Sequence, residues 1–183
     1  MHRWLTCCLC LLLNIPAAAD WVVIPSDSRL EVAGFVEGER VAVPFQRFSA
    51  DIQLAADAPS QGRITVHVET ASLITESAEA NALLRGRRWF HVSEYPEAVF
   101  RTSSISAGNG GTLELHGELT LRGVTRPVTI PAELAIDGDS LRLTGGTTIN
   151  RTEFDVGSGA WARDTIVGHT VGISFDLNAE PAQ

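Results

Sequence analysis

Lysine is absent from the 183-residue sequence, and cysteine is confined to its first ten residues. All 14 basic residues are therefore arginines, and 22 acidic residues outnumber them, which gives a net charge of −8 at pH 7. Nucleic-acid binding depends on neutralising phosphates with positive side chains, so this balance argues against DNA or RNA as a partner. After Asp20, no stretch approaches the roughly twenty consecutive apolar residues of a membrane-spanning helix.

The first nineteen residues have the pattern of a secretory signal peptide. Arg3 supplies a positive charge, residues 5–15 form an apolar stretch, and three alanines at 17–19 provide a small-residue cleavage site. Cleavage after Ala19 would leave 164 of the 183 residues and, with the loss of Arg3, would change the net charge from −8 to −9. It would also remove all three cysteines, which excludes disulfides, cysteine zinc sites and thiol nucleophiles from the product.

From Asp20 onward, apolar and polar residues alternate in six segments, the pattern of strands with one buried face. In the clearest segment, residues 112–121, apolar residues occupy the odd positions and polar residues the even ones. The other five segments are residues 29–32, 64–69, 128–133, 141–144 and 171–177. Turn-forming residues lie between them at 37–38, 108–111 and 137–138. The pattern predicts an antiparallel sheet that closes or folds onto itself as a barrel or a sandwich.

One segment favours a helix instead. Residues 77–84 are rich in alanine, leucine and glutamate, and either Thr75 or Ser77 could serve as the N-cap. No linker or low-complexity tract interrupts residues 20–183, whose length fits one domain. We therefore expect a single, mostly β domain with a short helical insertion.

Residues 119–128, Leu-Thr-Leu-Arg-Gly-Val-Thr-Arg-Pro-Val, resemble a segment of the YceI-like family, the lipid- or polyisoprenoid-binding proteins of the bacterial periplasm. Other segments resemble the family in the same order: Trp21 with Ser26, Ser28 and Leu30; Phe45 and Phe48; residues 68–72 with Thr75; residues 83–85 with Trp89 and Phe90; Tyr95 and Pro96 with Ala98 and Phe100; residues 149–151; and residues 167–171. Two positions depart from the family pattern. Residues 80–82, Ala-Asn-Ala, lack its usual acidic residue, and Asp155 stands where a glycine is common.

The resemblance implies an all-β fold, namely an extended eight-stranded antiparallel lipocalin-like β-barrel. It also implies a non-enzymatic carrier, periplasmic or secreted, that holds the tail of an amphiphile in the barrel lumen: a polyprenyl compound, a quinone-like molecule or a long-chain lipid. Burying a tail contributes about 0.8 kcal/mol per methylene, so such a carrier needs an apolar tunnel more than it needs polar groups or a cofactor.

The candidate ligand-binding residues are apolar side chains on the inward faces of strands and near the matching motifs. They are Phe45, Phe48, Val66, Val68, Leu83, Trp89, Phe90, Phe100, Leu115, Leu119, Ile173 and Phe175. In the alternative hypothesis the same side chains fill the core, and the barrel is an interaction module of an envelope stress response without bound lipid. Periodicity does not distinguish the two, because an eight-stranded barrel is near the size at which side chains just fill the lumen. A monomer and a dimer both remain open.

The sequence marks no catalytic or metal site. His67 and His116 fall on the polar faces of separate strands, which favours surface histidines over a metal site. A Gly-x-Ser-x-Gly nucleophile motif is absent. We interpret Arg151 as a structural residue that pins a loop by hydrogen bonding to carbonyls or to Asp155.

Residues 85–90 concentrate Arg85, Arg87 and Arg88 beside Trp89 and Phe90. This segment would allow transient contact with anionic lipid head groups. The interpretation we favour is structural, because arginines at the end of a helix complement its dipole and Gly86 would cap it.

Overall fold

The computed structural model describes residues 19–182, so the predicted signal peptide, apart from Ala19, lies outside the described residues. Within this range the chain forms ten β-strands and one α-helix. The strands are β1 (Ala19–Val23), β2 (Arg29–Val36), β3 (Glu39–Pro44), β4 (Phe48–Leu54), β5 (Arg63–Glu69), β6 (Glu97–Ala107), β7 (Leu113–Leu121), β8 (Val124–Asp137), β9 (Ser140–Asn150) and β10 (Thr170–Pro181). The helix is α1 (Ala78–Arg85), and short 3₁₀ turns lie at Pro25–Asp27, Pro59–Gln61, Thr70–Ser72, Asn109–Gly111, Arg151–Phe154 and Gly159–Ala162.

Eight of the described strands form a closed antiparallel ring in the order β1-β4-β5-β6-β7-β8-β9-β10. The ring closes where β1 pairs with the end of β10, with Trp21 opposite Pro181. The predicted eight-stranded antiparallel β-barrel with a short helical insertion is therefore confirmed.

The remaining two strands, β2 and β3, form a hairpin that extends the wall at one end of the barrel. Strand β10 shares one edge between two partners, because its residues 172–176 pair with β2 and its residues 179–181 pair with β1. On the far side of the hairpin, β3 is followed by a single bridge between Phe45 and Leu73. The wall is thus continuous at the β1 end and less completely paired at the hairpin end.

Two groups of buried side chains stabilise the barrel. The larger packs the β1 end; among its members are Trp21, Ile52, Leu54, Ile64, Leu115, Leu141, Leu143 and Leu177. The smaller joins the segments 86–96 and 151–168 to the barrel wall, and consists of Trp89, Ala98, Leu121, Phe154 and Val156. The alternation predicted for residues 112–121 is observed in β7, where Leu115 is buried and Glu118 is exposed.

Helix α1 begins one residue later than predicted, and its N-cap is Ser77. The Ser77 Oγ accepts a hydrogen bond from the Ala80 backbone N–H at 3.1 Å. None of the helix residues is buried, so α1 lies on the barrel as a cover and not as part of its core. No helix within residues 19–182 has the length and apolar character needed to cross a membrane.

Candidate functional site

The hairpin end of the barrel contains a cavity of about 1280 Å³. This volume exceeds the roughly 300–1,000 Å³ of typical small-molecule sites. Its walls are formed mainly by valine, leucine, isoleucine and phenylalanine side chains from strands β2 to β10 and from α1. The lumen is therefore a space for an apolar molecule and not a filled core.

All twelve candidate residues from the sequence lie in the wall of this cavity: Phe45, Phe48, Val66, Val68, Leu83, Trp89, Phe90, Phe100, Leu115, Leu119, Ile173 and Phe175. The twelve side chains differ in how exposed they are to solvent. Leu115 is 1% exposed and belongs to the packed end, whereas Leu83 is 37% exposed and lies on α1 at the opening. The structure brings the twelve together, and their contact with a ligand stays a prediction.

Two phenylalanine rings of the cavity wall lie against glycines. A Cβ at Gly145 would come within 2.7 Å of the Phe175 ring, and a Cβ at Gly117 within 2.7 Å of the Phe100 ring. Phe100 and Phe175 both line the cavity. Phe100 also belongs to the buried cluster of the β1 end, and Phe175 packs against that cluster. The glycines thus leave room for two rings of the cavity wall that are in contact with the packed end.

Arg151 holds the segment that caps the other side of the cavity. Its side chain lines the cavity wall and the residue is 2% exposed. All five guanidinium N–H groups donate to backbone carbonyls. Nε donates to Gly168, Nη1 to Val156 and Gly157, and Nη2 to Trp161 and Val167, at 2.7–3.2 Å.

Burial lowers the pKa of the Arg151 guanidinium, and the charge of Asp164 opposes that shift. Gly157 makes the close approach possible, because a Cβ there would lie 2.1 Å from the Arg151 Nη1. The structural role predicted for Arg151 is confirmed. Its carbonyl partners are those of residues 156–168, while the Asp155 carbonyl accepts from Arg122 at 2.7 Å.

Residues 85–90 are held to the barrel through their backbone. The carbonyl of Arg87 accepts from Arg122 at 2.6 Å, and the carbonyl of Arg88 accepts from the N–H groups of Gly157 and Ser158 at 2.8 Å. Trp89, which is 6% exposed, packs against Trp161 with a ring-centroid distance of 5.7 Å. The two aromatic residues of the segment, Trp89 and Phe90, thus contribute to the cavity wall.

Gly86 is the C-cap of α1, as predicted. Its φ is −71°, so the cap does not use the left-handed conformation for which glycine is usually selected. The cap is made instead by the Gly86 N–H, which donates to the Leu83 carbonyl at 3.0 Å.

The cavity opens between the β2–β3 hairpin, α1 and the segment before β10. Its lining includes large apolar side chains that are exposed to solvent: Val36, Val41, Ile74, Leu83 and Ile166. Three carboxylates also line this opening, Glu37 in the hairpin turn and Glu76 and Glu79 at the start of α1. The entrance is therefore an apolar rim with acidic groups on it.

The sequence-based set missed part of the wall, which includes positions on the barrel strands, in the hairpin and in loops. Leu30 and Val32 of β2 line the cavity and alternate with polar residues, so the strand period could have found them. Residues 41–43 of β3 all line the cavity and form an apolar run without alternation. Ile74, Ile166 and Val167 lie in irregular segments without a period, and the chain pattern gives no sign of their position.

None of the four histidines within residues 19–182 lines the cavity. His116, on the outer face, bridges Ser106 and Thr129 with its two ring nitrogens at 3.0 Å from each hydroxyl oxygen. His67 lies 3.6 Å from a carboxylate oxygen of Glu97. Within residues 19–182, no group of three or more histidine, aspartate or glutamate side chains is placed to hold a metal ion.

The sequence matches the model of the YceI-like domain over residues 21–179, and the chain belongs to this family. A UPF0312 protein of Ectopseudomonas mendocina is 30% identical over 118 residues, which cover 61% of this chain and 62% of that protein. The matched region thus spans less than two thirds of this relative's length.

Solved structures share the fold. The crystal structure of Burkholderia cenocepacia BcnA superposes with a TM-score of 0.82 and 28% identity, and the match covers 85% of this chain and 98% of that one. A domain from Saccharophagus degradans, described as a polyisoprenoid binding domain implicated in plant cell wall breakdown, has a TM-score of 0.72 and 14% identity, with 90% and 99% of the two chains covered. At that identity the second comparison shows the fold alone.

Proposed function

We propose that this protein is a non-enzymatic carrier for an amphiphile with a long apolar tail, such as a polyprenyl compound, a quinone-like molecule or a long-chain lipid, held in the barrel lumen. The observation that carries the proposal is the 1280 Å³ cavity with its apolar wall. Each methylene that enters such a space contributes about 0.8 kcal/mol. The description of the Saccharophagus degradans domain as polyisoprenoid binding supports the same class of ligand.

The alternative, an interaction module with a filled core, fits the structure less well. A filled core leaves no internal space larger than a few water molecules, because protein interiors pack as densely as organic crystals. The cavity of about 1280 Å³ is far larger than such a void. We therefore prefer the carrier.

We place the carrier in the periplasm after cleavage following Ala19. The signal-peptide pattern of residues 1–19 supports export, and membership of the YceI-like family supports this compartment. The amino-terminal sequence of the protein recovered from a periplasmic extract tests the placement. We expect it to begin at Asp20, and a chain that stays in the cytoplasm with Met1 intact would contradict it.

The binding proposal is tested by organic extraction of the purified protein with mass spectrometry, and by the fluorescence of N-phenylnaphthylamine, a neutral apolar probe. We expect an extractable amphiphile and a probe signal that long-chain lipid displaces. In Val68→Trp the indole occupies the lumen, so probe affinity should fall by roughly tenfold or more, which is about 1.4 kcal/mol.

His67→Trp is the matched control, because His67 precedes Val68 on β5 and is not part of the cavity wall. His67→Trp should bind the probe with wild-type affinity, whereas Val68→Trp should bind it more weakly. Equal binding by the two folded variants, or a wild-type protein that yields no amphiphile and no probe signal, would refute the carrier.

A further inference from the structure

The charged side chains of the cavity wall are unevenly placed. Glu37, Glu76 and Glu79 are exposed and lie at the opening, whereas Arg151 is buried under the capping segment. Among the described residues, no basic side chain comes within 4.0 Å of any of the three carboxylates. Arg40 belongs to the same hairpin as Glu37, but its side chain is not in the cavity wall. The opening therefore carries negative charge that no close ion pair offsets.

Two positive groups near the cavity are already occupied. The five N–H donors of Arg151 are all bound to backbone carbonyls, so this guanidinium has none left for a ligand anion. The N-terminus of α1 carries a partial positive charge. It is capped by Ser77, and Glu79 stands in its first turn.

The position of a ligand follows from the cost of burying polar groups. An apolar tail gains free energy inside the lumen, while a polar head group loses its hydration there unless it finds partners. The head group of a bound amphiphile thus stays at the opening, beside Glu37, Glu76 and Glu79.

We propose that these three glutamates select the head group, so that the cavity takes amphiphiles with a neutral or cationic head and rejects anionic ones such as phosphates and carboxylates. This inference rests on the proposed carrier function and adds the class of its ligand. The carboxylates are not a binding site themselves, since the apolar lumen supplies the affinity. They set which of two amphiphiles with the same tail binds better, through repulsion that is strongest at low ionic strength.

The test uses three amphiphiles with one tail: hexadecanol, hexadecyltrimethylammonium and palmitate. Each is titrated against N-phenylnaphthylamine bound to the full protein, at concentrations where it stays dissolved as monomers. The pH is about 8, where the palmitate carboxyl is ionised. We expect palmitate to bind roughly tenfold more weakly than hexadecanol at low salt, and the cation to bind at least as tightly as the alcohol. The difference in affinity between palmitate and hexadecanol should become smaller at high salt.

The variant Glu37→Gln/Glu76→Gln/Glu79→Gln should bring palmitate to within about threefold of hexadecanol. The control Glu118→Gln/Glu133→Gln/Glu153→Gln removes three exposed carboxylates that do not line the cavity, and it should keep the wild-type difference in affinity. The inference is overturned if the wild type binds palmitate as tightly as hexadecanol, or if the cation binds more weakly than the alcohol. It is also overturned if the opening variant and its control show the same difference in affinity between palmitate and hexadecanol. Failure of all three amphiphiles to displace the probe would instead refute the carrier function itself.

Discussion

The guanidinium of Arg151 lies over the indole of Trp89, with its central carbon 5.3 Å from the ring centroid. A buried cation is usually paired with a carboxylate, and here five carbonyl oxygens and an aromatic face take that role. The contact joins the capping segment 151–168 to a side chain of the cavity wall. The shape of this part of the cavity thus depends on a single arginine.

We expect Arg151→Lys to be strongly destabilising, although it keeps the charge. Lysine has three donors for the five carbonyls and lacks the planar group that stacks on Trp89. At least two buried carbonyls then lose their partner, so the free energy of unfolding should fall by about 2–4 kcal/mol. Chemical denaturation of the variant beside Arg126→Lys measures the effect. Arg126 is exposed, and its variant should stay within about 0.5 kcal/mol of wild type. A similar, small loss in both variants would contradict the role of Arg151.

Asp155 has a φ of +56°, in the left-handed region, and it ends the 3₁₀ turn Arg151–Phe154. Glycine adopts this conformation without steric cost, and aspartate tolerates it better than most residues. Asp155→Gly should therefore raise the free energy of unfolding by up to about 0.5 kcal/mol, and Asp155→Val should lower it by about 1–2 kcal/mol. Denaturant titration of both variants measures these changes in the free energy of unfolding. The explanation is wrong if Asp155→Val has the same free energy of unfolding as Asp155→Gly.

Arg142 on β9 donates two hydrogen bonds to the Asp176 carboxylate on β10, at 2.9 and 2.7 Å. These bonds lower the pKa of Asp176 below its ordinary value. The unfolded chain therefore binds more protons in acid, and the stability that the pair contributes is present above about pH 4 and lost as the pH falls further.

A double-mutant cycle of Asp176→Asn and Arg142→Gln, measured by denaturation at about pH 7 and about pH 3, tests this dependence. We expect a favourable coupling at neutral pH that shrinks in acid. A coupling that is equal at the two pH values, or larger in acid, would be inconsistent with the lowered pKa.

Contact with membranes through residues 85–90 is open to a direct test. Trp89 and Phe90 line the cavity, and the hydrogen bonds of Arg87 and Arg88 use their carbonyls, so the segment offers little more than arginine side chains to a lipid surface. We expect Arg87→Ser/Arg88→Ser to bind phosphatidylglycerol vesicles in sedimentation as wild type does.

The control for the vesicle experiment is Arg40→Ser/Arg126→Ser, which changes the net charge equally at two exposed sites elsewhere. A loss of sedimentation confined to the 87/88 variant would show that the segment is a membrane contact after all.

Much of the barrel could be predicted from the sequence because alternation reports which side of a strand is buried. It identified β7 and parts of β2, β5, β8, β9 and β10, and the capping pattern at Ser77 placed α1 to within one residue. The division of β10 between β1 and β2 could not be predicted. That arrangement is a tertiary property, and no local pattern distinguishes a strand with two partners on one edge from a strand with one.

A similar share of the candidate site could be predicted from the sequence. Inward-facing positions such as Val66 and Phe175 follow from the strand period, and all twelve predicted residues lie in the cavity wall. The existence of the cavity itself does not follow from that period, because the inward face of a filled barrel is equally apolar. The acidic opening was also missed, since Glu37 and Glu79 are far apart in the sequence and meet the same cavity only through the fold.

Because β10 pairs with β1 near its end and with β2 before that, the two ends of the barrel are built by different parts of the chain. The β1 end carries most of the buried side chains, and the hairpin and α1 bound the open end. Changes in the hairpin or the helix can thus alter which molecules enter without loosening the packed end. In evolution or in design, recognition and foldability can then be varied almost independently in this scaffold.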